Sequence, residues 1–194
     1  MEKRLLITGF DPFGGQDVNP SREVIRLLPD RIGDFVLCKL ELPTVYGLAA
    51  RTVLEAAAKF DPDVILCLGV AAGRTAVTPE RIAVNIRDAR IPDNTGNQPR
   101  GERVAADGPA AYFATAPVDV MTQKILEAGL PASISNSAGT FVCNDLLYSL
   151  LHHFHDTQTA VGFIHVPALP GQHEACLPLA DTLRAITAAI TACI

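Results

Sequence analysis

The 194-residue sequence has few charged residues and no cluster of basic residues. Charged residues make up 19% of the chain, against about 25% in average proteins. Hydrophobic residues make up 48% and the net charge is only −5, so the composition typical of disordered chains is missing. An excess of acidic residues without any Lys/Arg run also argues against binding to nucleic acid.

Long apolar runs are missing as well. None approaches the roughly 18 residues that a transmembrane helix needs. The chain starts with basic residues, but the apolar stretch that follows ends at Thr8 and Gly9, which is too early for a signal peptide. These absences predict a cytoplasmic protein with no membrane partner. The length favours a single domain over residues 1–194.

The cysteines show none of the patterns of disulfide-rich or metal-binding proteins. Their number is odd, and no pair has the C-x-x-C spacing of a zinc site. In a cytoplasmic protein we expect free thiols, most of them buried as small hydrophobic residues. The five are Cys38, Cys67, Cys143, Cys176 and Cys193.

Short apolar segments alternate with longer segments of helical pattern along the chain. We predict strands at 3–8, 35–42, 64–68, 81–86, 132–135 and 160–165. We predict helices at 21–28, 46–60, 118–128, 142–154 and 175–192. This alternation is typical of an α/β protein with a mainly parallel sheet and helices on both faces. The polar segment 88–108 is predicted to be a long loop, of a kind that often has a function.

Cys143 differs from the other cysteines in its surroundings. It follows a run of small residues and lies near the predicted start of the helix 142–154. Unpaired amides at a helix start favour a thiolate and can hold an oxyanion. Position alone does not show that Cys143 is reactive, because free cysteines are most often buried and inert.

His165 is the histidine best placed to serve such a thiol as a base. It ends a predicted strand, and ligands of open α/β sheets bind outside the carboxyl ends of the strands. The histidines at the end of the helix 142–154 lie roughly three turns from Cys143. Glu80, in a segment that follows another strand end, could hold the imidazole in the required tautomer. Each of these residues, taken alone, is also compatible with a structural role.

Several segments, in the right order, resemble the pyroglutamyl peptidase I family of cysteine peptidases. The segment 69–85, GVAAGRTAVTPERIAVN, resembles the glutamate signature of the family, and 135–144, SNSAGTFVCN, resembles its cysteine signature. The segments 8–15, 88–94 and 165–167 also resemble the family. The resemblance therefore covers essentially the whole chain.

The resemblance implies a three-layer α/β/α sandwich that forms one cytoplasmic catalytic domain and assembles as a homotetramer. It implies hydrolysis of the bond after an N-terminal pyroglutamyl residue of a peptide, without a metal or cofactor. It assigns Cys143 as nucleophile, His165 as general base and acid, and Glu80 as the acid that orients the histidine.

The chemistry of the implied substrate predicts an apolar pocket. The amine of a pyroglutamyl residue is closed into a lactam, so no carboxylate is needed to bind an ammonium group. Phe10 and Phe13, which match family aromatics at the substrate ring, can supply flat walls beside glycines. Phe141 and Ile91 are candidates to extend the pocket, and Arg90 is a candidate to assist the oxyanion. Ordinary core packing is the alternative for the two N-terminal phenylalanines.

Two other functions are compatible with these residues. A nucleoside phosphorylase-like enzyme would hold phosphate in the loops near Gly14 and Arg74, although the usual phosphate-binding glycine patterns are missing. Such an enzyme would be insensitive to iodoacetamide. A non-catalytic binding module would use Cys143 as a redox sensor and would show no acyl-enzyme burst.

Overall fold

The computed structural model describes residues 2–193 and contains, within them, eight strands and five helices. The strands are β1 (Lys3–Phe10), β2 (Arg31–Ile32), β3 (Phe35–Leu42), β4 (Val64–Val70), β5 (Thr78–Pro79), β6 (Ile82–Val84), β7 (Ala111–Phe113) and β8 (Ala160–Val166). The helices are α1 (Pro20–Leu27), α2 (Leu48–Phe60), α3 (Val118–Glu127), α4 (Val142–Phe154) and α5 (Leu179–Thr191).

Six of the strands form one sheet in the order β2-β3-β1-β4-β8-β5. The four inner strands β3, β1, β4 and β8 run parallel, and the short strands β2 and β5 pair antiparallel at the two edges. The strands β6 and β7 form a separate antiparallel pair. The predicted α/β architecture with a mainly parallel sheet is confirmed.

Helices cover both faces of the sheet and explain why the inner strands are continuously apolar. On one face, Ile7 of β1 lies in a buried cluster with Met121 of α3 and Ile186 of α5. On the other face, Leu6 shares a cluster with Leu147 of α4. Because successive side chains of a strand point to opposite faces, each inner strand contributes to both clusters. The result is the three-layer sandwich.

The predicted strand 132–135 is wrong. This segment makes only isolated bridges, Val77 with Ala132 and Glu80 with Ser135. Backbone hydrogen bonds join the segment to the chain on either side of Pro79. Pro79 has no N–H to donate, so the parallel ladder is interrupted in its middle.

The predicted start of the last helix is also wrong. The helix begins at Leu179 rather than at 175, because the residue before a proline is disfavoured in helical conformation and Pro178 immediately precedes the helix. Cys176 therefore lies in the preceding loop, where it bridges to Ala168. Cys193 follows the helix, and all five cysteines are free thiols.

The sequence pattern missed three short strands and overestimated a fourth. The strands β2, β5 and β7 have two or three residues each, too few to show an alternation of apolar and polar residues. The predicted strand 81–86 is confined to Ile82–Val84. Among residues 2–193, no helix has both the length and the apolar character required to cross a bilayer.

Candidate active site

The strands β4 and β8 place His165 next to a glycine at the carboxyl end of the sheet. Gly69 and His165 are register partners, and residues paired in this way present their side chains to the same face of a sheet. Phe163, two residues before His165, lies in the cluster under α4, and its ring centroid is 4.8 Å from that of His165. His165 therefore points toward the layer of α2 and α4.

The helix α4 brings Cys143 to this same point. The helix begins at Val142, as predicted, so Cys143 lies in its first turn. Its Sγ is 2.9 Å from the position that a Cβ on Gly69 would occupy. The absence of a side chain at residue 69 thus leaves the space that the thiol occupies at the carboxyl end of β4, next to the strand that carries His165.

The start of α4 is held firmly but its first amides are not capped by a side chain. The Asn144 amide accepts a hydrogen bond from the Val84 N–H and donates to the carbonyls of Val84 and Ile86. Asp145 accepts from the Gly47 N–H and pairs with Arg87. These contacts fix the helix start, while its free amides can stabilise an oxyanion at the thiol.

Glu80 follows β5, the edge strand next to β8, and joins Cys143 and His165 at this end of the sheet. It is fully buried, and its Oε1 lies 2.7 Å from Nδ1 of His165. The antiparallel pairing of β5 with β8, in which Thr78 lies opposite His165, brings the two side chains together. A carboxylate opposite Nδ1 selects the tautomer with the proton on Nδ1, and this leaves Nε2 as the proton acceptor.

The charge on Glu80 is stabilised although the side chain is buried. Burial alone would raise the pKa of this carboxyl, but the hydrogen bond and charge of His165, with the hydrogen bond from Arg74, outweigh it. The net result is a pKa below the usual value. Glu80 is therefore a buried carboxylate at neutral pH.

The predicted lowering of the thiol pKa at the helix start is wrong. Burial raises the pKa of Cys143 to about 12, and the charge of Glu80 adds to this, while Arg74 and the backbone amide of Cys143 oppose it. Desolvation of a thiolate outweighs the helix amides here. Desolvation therefore favours the neutral thiol of Cys143.

A cleft of about 280 Å³ lies at the carboxyl ends of β4 and β8, and most of its lining side chains are apolar. Its lining includes Val70, which follows Gly69 in the chain, and Ala168, three residues after His165. Phe13, Ile91 and Arg90 line it as well. Three of the five predicted substrate-binding residues thus line one cleft, whose wall includes the chain neighbour of Gly69.

The other two predicted residues, Phe141 and Phe10, do not line this cleft. The Phe141 ring packs against Phe13, with ring centroids 5.9 Å apart. Phe10 is only 2% exposed and packs against Phe163 at 6.5 Å. Phe10 is therefore a core residue beneath the site, as ordinary packing of an N-terminal strand predicts, and is not part of the cleft lining.

Hydrogen bonds join the two loops that carry the cleft residues. Oδ1 of Asp11 accepts from the Thr44 N–H and from the Asn94 amide, which also donates to the carbonyl of Pro12. Asp93 accepts from the backbone N–H groups of Tyr46, Thr95 and Asn97. The loop with Phe13 is therefore tied to the loop with Arg90 and Ile91.

Sequence reasoning did not assign two residues that contact the site. Arg74 donates to Oε1 of Glu80 at 2.7 Å and to the carbonyl of Ser137 at 3.1 Å. Tyr46 donates from its hydroxyl to the carbonyl of Thr140 and packs edge-on against Phe141. Arg74 could have been found, since it lies six residues before Glu80. Tyr46 is 94 residues from its partner and has no local signal.

Comparison with known proteins identifies the family of the chain. The sequence model of the family described as pyroglutamyl peptidase matches residues 3–194. The pyrrolidone-carboxylate peptidase of Levilactobacillus brevis is 48% identical over 97% of this chain and 96% of its own length. A pyrrolidone-carboxylate peptidase of Streptococcus pyogenes is 47% identical over 97% of this chain and 91% of its own length.

Solved structures show the same fold. The pyroglutamyl peptidase I of Bacillus amyloliquefaciens superposes with a TM-score of 0.95 at 42% identity, covering 100% of this chain and 95% of that one. The pyrrolidone carboxyl peptidase of Thermococcus litoralis has a TM-score of 0.93 at 36% identity and covers 98% and 93% of the two chains. The chain therefore belongs to the pyroglutamyl peptidase family.

Proposed function

We propose that this protein is a cysteine peptidase that hydrolyses the bond after an N-terminal pyroglutamyl residue of a peptide, with Cys143, His165 and Glu80 as its catalytic residues. Membership of the pyroglutamyl peptidase family supports the activity. The observation that carries the residue assignment is the meeting of a thiol, a buried imidazole and a buried carboxylate around Gly69.

The reaction begins with transfer of the Cys143 proton to Nε2 of His165. The sulfur forms a bond to the pyroglutamyl carbonyl carbon, and the resulting oxyanion is stabilised by the amides at the start of α4, with Arg90 at the cleft as a second donor. Because burial makes the free thiolate unfavourable, the proton moves as attack occurs. The imidazolium formed is stabilised by the carboxylate of Glu80.

The tetrahedral intermediate then collapses. His165 donates its proton to the departing peptide amine, the carbon–nitrogen bond breaks, and a thioester to Cys143 remains. A water molecule transfers a proton to His165 and attacks the thioester carbonyl. The carbon–sulfur bond breaks, His165 returns its proton to the sulfur, and free pyroglutamate leaves while the neutral thiol is regenerated.

The cleft favours an uncharged substrate end. Phe13 and Ile91 provide apolar surface, and Phe141 packs behind Phe13. Among the described residues that line the cleft there is no carboxylate. An ordinary peptide N-terminus would have to leave water with its positive charge unpaired, whereas a lactam would not. This arrangement supports selection of pyroglutamate over free amino-terminal residues.

We also propose that residues 1–194 form one catalytic domain, that the protein acts in the cytoplasm and that it assembles as a homotetramer. Five free thiols suit a reducing compartment. Exposed Leu27, Phe113 and Leu126 offer apolar surface for subunit contacts. Light scattering of the purified protein at micromolar concentration should give four times the chain mass. A monomer mass would contradict the tetramer.

Replacement of the nucleophile should remove activity. Cys143→Ser is expected to lower the release of a pyroglutamyl-linked aminocoumarin by about 10³-fold or more, because a serine hydroxyl is a far weaker nucleophile for this base. Cys38→Ser, in β3 and distant from the cleft residues, is the matched control and should keep full activity. Circular dichroism checks that both variants are folded. Full activity of Cys143→Ser would overturn the assignment.

Replacement of Glu80 should slow turnover while the thiol stays reactive. In Glu80→Gln the amide cannot stabilise an imidazolium, so kcat should fall by roughly 10²- to 10⁴-fold. Alkylation of Cys143 by iodoacetamide, followed by mass spectrometry, should still occur. Glu55→Gln, on the exposed face of α2, is the control and should behave as the unchanged protein. Unaltered kcat in Glu80→Gln would remove Glu80 from the mechanism.

A methyl group at residue 69 should displace the nucleophile. In Gly69→Ala the new Cβ would lie 2.9 Å from Sγ of Cys143 and 2.8 Å from Cζ of Phe163, both too close for van der Waals contact. We expect kcat/KM to fall by about 100-fold, since a small misplacement of a reacting group has an effect of that size.

Gly162→Ala is a matched control for this variant. Residue 162 lies in β8 and faces the other side of the sheet, where a Cβ would be 2.6 Å from Cβ of Ala116. Urea unfolding should show a loss of about 1–3 kcal/mol from overpacking, but the alkylation rate of Cys143 should not change. Equal activity losses in the two variants would show that Gly69 acts only through stability.

A further inference from the structure

Arg74 contacts the catalytic group without lining the cleft. Its Nη1 donates to Oε1 of Glu80 and to the hydroxyl of Thr78, and its Nη2 donates to the carbonyl of Ser137. One guanidinium therefore joins β5, the buried acid and the segment that leads to Cys143. A planar fork of donors is suited to several acceptors at once, which a lysine ammonium is not.

Arg74 and His165 bond to the same oxygen of Glu80. Both donor nitrogens lie 2.7 Å from Oε1, while Oε2 is buried and has no hydrogen-bond partner in the described structure. The orientation of the carboxylate therefore depends on these two donors. Removal of either one would free the carboxylate to turn.

Arg74 is also the permanent cation that faces this buried carboxylate. Within residues 2–193, the ion pairs of Glu80 are with Arg74 and His165. The neighbouring Arg81 is directed away, to Asn136 and Asp119. The remaining titratable group at the pair is the thiol of Cys143, whose ionisation is opposed by Glu80 and favoured by Arg74.

We propose that Arg74 is a positioning residue of the peptidase reaction: it orients Glu80 and balances its charge, so that the carboxylate keeps its hydrogen bond to His165. This inference rests on the proposed function. The guanidinium is not among the residues that line the cleft, and it acts through Glu80.

The sign of the effect follows from the charges. With Arg74 present, the charge of the guanidinium offsets part of the attraction between the carboxylate and a proton on His165. Without Arg74, the uncompensated carboxylate attracts a proton to the Glu80–His165 pair, so the pair becomes protonated at higher pH. The acidic limb of the activity profile, where protonation of the Glu80–His165 pair removes the base, should therefore move to higher pH.

The test compares pH profiles of kcat/KM for four forms of the protein with a pyroglutamyl-linked aminocoumarin. Arg74→Met should move the acidic limb of the profile to higher pH by about one pH unit. At pH values below the limb, kcat/KM should fall by about tenfold, with KM unchanged. Arg74→Lys keeps the charge and should restore the limb, while kcat stays reduced because the contact to Ser137 is lost. Arg81→Met removes a neighbouring charge and should leave the profile unchanged.

Two results would overturn the inference. One is an Arg74→Met profile that overlays the unchanged protein, and the other is an equal shift in Arg81→Met, which would show a general effect of surface charge. If Arg74→Met does not fold, Arg74→Gln replaces it with the same expected shift. Thermal unfolding of each variant monitors the fold.

The rate of Cys143 alkylation by iodoacetamide against pH gives a readout that needs no peptide turnover. Its acidic limb should move in Arg74→Met in the same direction. If the unchanged protein released no aminocoumarin, the proposed function would fail, and this measurement would still decide the role of Arg74. If release occurred but neither limb moved in Arg74→Met, the inference on Arg74 alone would fail.

Discussion

The buried pair of Glu80 and His165 is the interaction on which the site depends. A carboxylate that is 0% exposed is strongly unfavourable unless it is paired and hydrogen-bonded. Here an imidazole and a guanidinium meet one of its oxygens at 2.7 Å. The antiparallel pairing of β5 with β8 and the bridge from Glu80 to Ser135 bring these groups together. The contact between Glu80 and His165 therefore joins the edge of the sheet to β8.

The second constraint is space. The thiol of Cys143 can lie over the carboxyl end of β4 because Gly69, the register partner of His165, has no side chain. The same burial raises the pKa of that thiol to about 12. In the proposed reaction the thiol therefore gives up its proton during attack, so the rate depends on the base. The pair of Glu80 and His165 and the access of the thiol to it are consequently parts of one arrangement.

The cleft and the contacts of Arg74 also bear on whether the protein is a peptidase or a phosphate-dependent enzyme, a choice that the residues alone had left open. A phosphate site near Arg74 would need an unpaired cation, but this guanidinium is engaged by Glu80, Thr78 and Ser137. The apolar lining near Phe13 and Ile91 suits an uncharged ring. Both observations favour the peptidase over a phosphate-dependent enzyme.

Much of the fold and the identities of the proposed catalytic residues could be read from the sequence, because long elements leave periodic patterns and the signature segments are local. The strand at 35–42 and the helix at 142–154 were predicted with their observed bounds. Tertiary structure alone decided the pKa of Cys143, the burial of Phe10 and the contacts of Arg74 and Tyr46. These properties depend on desolvation and on partners far apart in the chain, and no local pattern of residues encodes either.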